Sequence, residues 1–318
     1  MLDEAFLSEV GDLVGTGNVH SGEEVSRLFR SPGAGSKLVL VRPCSAEELA
    51  DVVVHAARRK IPVFTARSRF LPRALADREG LLVDFSRMDR IIDIDRRNMK
   101  VRLEAGVTYE QLSEALTGEG LRVLLPASAT TRSVLRSNLD RDPLLGAVTL
   151  RSSNLSVFKA VLGNGEIWGS GTLQLGREGR PDFGEDQGPQ FSNAFRASED
   201  IFGIPYQATI YLYPTWDTRK VLLAGFSERR DAIAFTYHTS RHEHCFQCAA
   251  ADRTYWGALT GDSPEECRER ALLFSPWTVA VSLEHVASMV ELWGRMLAES
   301  VADHGGILLE GDALRLVE

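Results

Sequence analysis

Residues 37–65 constrain the fold more than any other part of the chain. Lys37–Val41 (KLVLV) is a compact apolar run that ends at Pro43, and Ser45 follows as a helix start. Glu48 stands three residues on, the spacing at which a serine hydroxyl and a glutamate carboxylate share the orphan N–H groups of a first helical turn. Leu49, Val52, Val53 and Ala56 recur at intervals that give this helix one apolar stripe. Ile61–Thr65 (IPVFT) then reads as a second strand. The unit is strand–helix–strand, and if its strands are parallel the crossover is right-handed.

Around this unit the chain alternates short strands with turns. Residues 3–14 and 22–30 are expected helices. Leu81–Phe85, Ile91–Ile94 and Lys100–Leu103 are expected strands, separated by turn residues such as Asp95-Arg-Arg-Asn98. Gly106-Val-Thr108 turns into a helix over 109–118, and Leu121–Leu125 is a strand stopped by Pro126. Residues 127–155 lack periodicity and read as a long loop with a helical turn. Leu155–Leu162 and Glu166–Trp168 form a hairpin about Gly163-Asn-Gly165. Residues 169–190 hold six glycines and read as an exposed excursion, and Thr209–Tyr213 is a closing strand.

After Pro214 the pattern restarts. A strand at Lys220–Phe226, a helix at Glu228–His238, a strand at Trp277–Ser282, a helix at Glu284–Ala302 and the apolar Ile307–Leu309 make half or more of an α+β domain. The segment between 239 and 276 has no clear assignment. The expected organisation is a helical segment over 1–35, a first domain over 36–214 and a partial α+β domain over 215–318.

Charge and length narrow the partners. The chain has 318 residues and a net charge of −8, the wrong sign for a nucleic-acid surface. No apolar run approaches the roughly 18–20 residues that span a bilayer. The acidic, amphipathic start is unlike a signal peptide, and four cysteines make no disulfide framework, so the expected location is the cytoplasm.

The informative stretch for function is Arg196–Pro214, a small-polar turn with Gly203 that leads into an apolar strand. Glycine at such a turn lets backbone N–H groups approach a ligand, because no Cβ stands in the way. Read alone it is a loop before a strand. It gains meaning from four phrases that precede it: Val41-Arg-Pro-Cys-Ser-Ala-Glu-Glu-Leu49, Val83-Asp-Phe-Ser-Arg-Met-Asp-Arg-Ile91, Glu104-Ala-Gly-Val-Thr-Tyr109 and Val161-Leu-Gly-Asn-Gly-Glu166. In this order and spacing they resemble the FAD-binding domain of the vanillyl-alcohol oxidase / p-cresol methylhydroxylase flavoproteins, the subgroup with glycolate oxidase and D-lactate dehydrogenase. The resemblance covers about residues 36–214. It implies an α+β fold of two subdomains with FAD between them, in the cleft between 36–85 and 86–214, followed by a truncated α+β cap domain.

By this resemblance three loops hold the flavin pyrophosphate. The first falls on Arg67, Ser68 and Arg69, where the family has a glycine triplet; the two arginines either make charge-assisted bonds to phosphate or are a surface pair. The second falls on Pro126, Ser128, Ala129 and Thr130, with Ser153 and Asn154 at a later phrase. The third falls on Ser198, Glu199, Gly203 and Ile204, with Asp200 in place of a glycine. No histidine lies between His55 and His238 and no cysteine between Cys44 and Cys245, so a non-covalent flavin is expected.

The resemblance further implies an oxidoreductase subunit acting on an organic hydroxy acid or alcohol, with another protein subunit completing the site. The alternative is a degenerate, flavin-free structural or regulatory subunit of a larger oxidoreductase complex. No catalytic residue is assigned. His242-Glu-His-Cys-Phe-Gln-Cys248 is the one dense cluster of metal-capable side chains, but it lacks a second pair at a set spacing. It reads as a helix with its cysteines packed inward, and no metal is expected.

Overall fold

The structure, a computed structural model, describes residues 2, 4–29, 37–66, 75, 78–125, 131–140, 154–171, 173, 191–241 and 245–317. These fall into two compact units that divide between Tyr213 and Pro214. No helix among the described residues is long and apolar enough to cross a membrane.

Among the described residues the first unit contains two larger sheets. In the first, the strands Val19–Ser21, Leu38–Val41, Gly80–Val83 and Val63–Thr65 lie side by side in that order. The last three run parallel, and Val19–Ser21 is antiparallel at the edge. The helix Ala46–Arg58 therefore carries the chain past one strand position, which Gly80–Val83 fills. Ser45 Oγ accepts from the Glu48 N–H at 3.2 Å, whereas the Glu48 carboxylate accepts from the N–H of Cys44 and not from that of Ser45. Every residue of Leu38–Val41 and Gly80–Val83 is buried, as parallel strands covered on both faces require. Val39, Val41 and Leu81 pack with Val52 and Ala56 and with Phe6, Val10 and Val14 of the helix Glu4–Val14. Leu38, Leu40 and Leu82 belong to a separate cluster with Val25 and Phe29.

The second sheet is antiparallel, in the order Ile91–Asp95, Lys100–Glu104, Ile204–Tyr211, Leu155–Val161, Ile167–Gly169. The expected hairpin about Gly163-Asn-Gly165 is present, and the expected strands on either side of Asp95-Arg-Arg-Asn98 pair with each other. The strand expected over 209–213 begins earlier, at Ile204, and lies at the centre of the sheet. Its pairing with Leu155–Val161 shifts register between Pro205 and Gln207, because proline offers no N–H to the ladder. The strand expected over 121–125 is reduced to Leu121–Arg122, and the helical turn in the long loop is Val134–Leu139, capped by Ser133. Most of the excursion at 169–190 lies outside the described residues.

Gly106 shows how tightly these parts meet. A Cβ there would stand 2.1 Å from the Phe85 carbonyl oxygen and 2.7 Å from that of Met88. The Gly106 N–H donates to the same Met88 oxygen at 2.8 Å, so the turn after Lys100–Glu104 lies directly against the chain leaving Gly80–Val83.

The second unit is one antiparallel sheet in the order Gln247–Asp252, Trp277–His285, Thr218–Phe226, Ile307–Leu309. The helices Arg229–Arg241 and Ala287–Asp303 supply Phe235, Val290, Leu297 and Val301 to a core with Phe226, Val279, Val281 and Leu283. Trp256, Phe274 and Ala313 pack with Leu223 in a separate cluster. The unassigned segment holds the strand Gln247–Asp252 and the helices Arg253–Thr260 and Pro264–Ala271, and Glu284 lies within the strand Trp277–His285 instead of starting a helix. The cysteine segment also departs from expectation. Cys248 lies on the strand Gln247–Asp252, because pairing with Trp277–His285 uses its backbone. Residues 242–244 lie outside the described residues. Among those described, no group of three histidine, cysteine or acidic side chains is placed to hold a metal ion.

These contacts set two stability expectations. Gly106→Ala should lower the unfolding free energy of the first unit by roughly 3 kcal/mol, since two backbone carbonyls must move, whereas Gly163→Ala, with nothing within 4 Å, should be near neutral. Chemical denaturation compares them. Burial pushes the Cys245 thiol up to about 11 and the Cys248 thiol up to about 12, from an ordinary 9.0. The folded state favours the protonated thiols, so this contribution to stability is complete below about pH 9 and is lost as pH rises through 11 to 12. At pH 8 iodoacetamide should label both cysteines far more slowly in the folded protein than in urea, and the unfolding midpoint should fall between pH 9 and 11.

Candidate functional site

The three parallel strands of the first sheet each deliver the next residue to one cavity. Arg42 follows Leu38–Val41, Ala66 follows Val63–Thr65 and Asp84 follows Gly80–Val83, and all three line a cavity of about 560 Å3. Ligand crevices form outside the carboxyl ends of parallel strands for this reason: the side chains beyond each strand converge there. The size is within the range of small-molecule sites, about 300–1,000 Å3. The opposite wall comes from the turn that leaves the second sheet and from the chain leading into Val134–Leu139, through Ala105, Gly106, Thr108, Thr131 and Ser133.

Hydrogen bonds hold that wall in place. Ser133 Oγ donates to the Ala105 carbonyl at 2.6 Å and accepts from the Arg136 N–H at 3.1 Å. Thr108 caps the helix Tyr109–Ala115 in a complete capping box with Gln111. Arg42 Nε donates to Asp84 at 2.8 Å, and the Ser86 N–H and hydroxyl donate to the same carboxylate. Asp89 and Glu110 add two more carboxylates to the lining.

A buried ion pair ties three segments beside this cavity. Arg136, on the helix Val134–Leu139, is only 2% exposed, and its Nη1 donates to Asp200 Oδ1. Thr65 Oγ1, at the end of a parallel strand, donates to Asp200 Oδ2 at 2.5 Å. The guanidinium carbon lies 5.3 Å from the ring centre of Phe85, itself a lining residue. Arginine and aspartate so deeply buried are tolerated only as a pair; loss of one partner commonly costs about 3–5 kcal/mol. Asp200 reaches this position on a turn in which Ala197, Glu199 and Asp200 all have left-handed backbones, with φ of 55°, 51° and 67°. Glycine adopts that conformation freely and other residues at a cost of about 1–2 kcal/mol each.

Of the residues expected to bind a cofactor, Arg67, Ser68, Arg69, Pro126, Ser128, Ala129, Thr130 and Ser153 lie outside the described residues. Asn154 is fully buried: its N–H donates to Asn138 Oδ1 at 2.8 Å and its Oδ1 accepts from the Tyr213 hydroxyl at 2.9 Å. The Ser198 hydroxyl donates to the Phe195 carbonyl at 3.0 Å, and Glu199 is exposed. The Gly203 N–H donates to the Asp200 carbonyl at 3.2 Å, and a Cβ at Gly203 would stand 2.9 Å from the Val161 carbonyl oxygen. Its close approach is to the neighbouring strand. Ile204 opens the central strand and is buried. In the sequence Asp200 stands out only as a lost glycine, and Arg136 and Thr65 do not stand out at all. A charge where the resemblance expects a glycine is the signal that asks for a counter-charge elsewhere.

Comparisons with known proteins bear on the family and the fold. Residues 38–141 match the model of the FAD binding domain family. The D-lactate dehydrogenase of Archaeoglobus fulgidus is 25% identical over 240 residues, which cover 74% of this chain and 52% of that protein. The glycolate oxidase subunit GlcD of Bacillus subtilis is 24% identical over 62% of this chain and 41% of its own length. The chain thus spans about half the length of the curated relatives it matches, or less. Among solved structures, p-cresol methylhydroxylase with substrate bound has a TM-score of 0.77 at 16% identity, over 96% of this chain and 65% of that one. The 4-ethylphenol oxidase from Gulosibacter chungangensis has a TM-score of 0.79 at 19% identity, over 96% and 64%. Residues 38–141 thus match the FAD binding domain family, and the chain shares its α+β fold with the p-cresol methylhydroxylase structure.

Proposed function

We propose that the first unit binds FAD non-covalently in the cavity at the ends of the parallel strands, and that the chain is one component of an oxidoreductase acting on an organic hydroxy acid or alcohol. One observation carries this reading: every residue lining the cavity except Leu28 and Phe29 falls within the matched segment 38–141. The residues present suit the ligand. The cavity lies where parallel strands converge, and its lining carries an arginine, carboxylates and hydroxyl groups. Beside it a buried guanidinium has two N–H groups, Nε and Nη2, with no hydrogen-bond partner among the described residues.

Bound flavin supplies the hydride-accepting chemistry; the protein supplies position and electrostatics. Arg42 neutralises Asp84 and keeps that wall from repelling an anionic ligand. Asp89 and Glu110 can accept from ligand hydroxyl groups. The Ser133 hydroxyl and the Gly106 N–H fix the opposite wall by donating to the Ala105 and Met88 carbonyls, so that the cavity keeps its shape before a ligand arrives. In this proposal residues 36–214 form the cofactor domain and 215–318 a partial cap, and a partner subunit completes the substrate side. The loops at Arg67–Arg69, Pro126–Thr130 and Ser198–Ile204 are proposed to surround the pyrophosphate.

The visible spectrum of the purified protein tests the reading. A yellow protein, or one that takes up one FAD per chain, with all flavin released to the supernatant on acid precipitation, is the expected result. A colourless protein that takes up no added FAD would leave the flavin-free alternative standing. Anaerobic bleaching of the bound flavin by added 2-hydroxy acids or alcohols identifies the substrate class.

A further inference from the structure

We infer that Arg136 is a phosphate-binding side chain, held by Asp200 so that its second edge grips two oxygens of a pyrophosphate group. A guanidinium has two usable edges. Asp200 takes Nη1, and Nε and Nη2 remain; these two donate in parallel and form the fork that matches a carboxylate or phosphate bidentately. Both atoms are buried, and neither has a hydrogen-bond partner among the described residues. Buried N–H groups on a permanently charged side chain are costly to leave unpaired. The surroundings are those of the proposed cofactor cavity: Phe85 lies against the guanidinium, Ser133 accepts the Arg136 N–H and lines the cavity, and Thr65, bonded to Asp200, directly precedes the lining residue Ala66.

Asp200 gives the fork its position. It fixes Nη1, cancels the charge when no ligand is present, and is itself held by the Thr65 hydroxyl. A glycine-rich turn binds anions through backbone N–H groups that point outward. Here the Gly203 and Ile201 N–H groups donate to the Asp200 and Ser198 carbonyls within the turn, and a side-chain fork supplies donors in their place. A diphosphate suits the fork because it carries charge enough to compete with Asp200 and paired oxygens at the guanidinium spacing.

This inference rests on the reading of the cavity as an FAD site, and the experiment separates the two. Calorimetric titration of the full chain with FAD, inorganic pyrophosphate and riboflavin compares wild type with R136M/D200G. The double variant removes both buried charges together and restores glycine where the backbone is left-handed, so it should give a single thermal unfolding transition like that of wild type. FAD and pyrophosphate should both bind about ten- to a hundredfold more weakly, with riboflavin unchanged. Arg136→Lys keeps a charge for Asp200 but has no fork, so it must lose affinity for the same two ligands; it serves if the double variant does not fold. Equal FAD affinity in wild type and variants overturns the role of Arg136 and leaves the FAD reading intact. Pyrophosphate bound by wild type alone, with FAD bound by neither protein, upholds Arg136 and overturns the FAD reading. Absence of pyrophosphate binding to wild type, or equal binding to all variants, overturns the inference.

Discussion

A guanidinium cannot be buried without an opposite charge, and the first unit is arranged about one that is. Arg136 is 2% exposed, and its counter-charge comes from Asp200, 64 residues further along the chain. Thr65 adds a third segment to the same carboxylate. One network therefore joins the end of a parallel strand, a short helix and the turn before the central antiparallel strand. The left-handed backbone at Ala197, Glu199 and Asp200 persists because this network holds the turn in one conformation; strained backbone survives where surrounding contacts over-determine it.

The cavity is a consequence of topology. Placing Gly80–Val83 between Leu38–Val41 and Val63–Thr65 brings three parallel strand ends to one edge, where Arg42, Ala66 and Asp84 emerge together. Gly106 then lets the turn after Lys100–Glu104 close against Phe85 and Met88, which sets the facing wall. Ser133 completes it by bonding to Ala105. The walls are thus held both by close backbone contact at Gly106 and by the side chains of Ser133, Arg42 and Asp84.

The same division between backbone and side chain bears on the loops proposed to surround the pyrophosphate. Glycine-rich loops bind anions by exposing backbone N–H groups. A chain that replaces glycines there must either lose the anion or supply donors by other means. Asp200 and Arg136 stand in this region as a pair of opposite charge, which keeps the interior neutral and leaves one guanidinium edge without a partner among the described residues. The Asp200 carboxylate is thus neutralised by Arg136.

The fold was legible in the sequence wherever local rules act alone. Ser45 and Thr108 announce their helices, Gly163-Asn-Gly165 announces a hairpin, and alternate residues of Leu38–Val41 sort to opposite sides of a buried strand. Five phrases in order were enough to identify the cofactor-domain family, because each records a turn or strand end that the backbone requires. The segment 239–276 was not legible: Gln247–Asp252 forms a strand only by pairing with Trp277–His285, and short strands carry little signal without their partners. The same holds for Ile204, which the structure places in a central strand between two others. The site divides along the same line. Its location between the subdomains follows from strand order and turn residues, which are local. Its chemistry depends on Thr65, Arg136 and Asp200 meeting across 64 and 135 residues of separation, and only the folded chain brings a buried charge to its counter-charge.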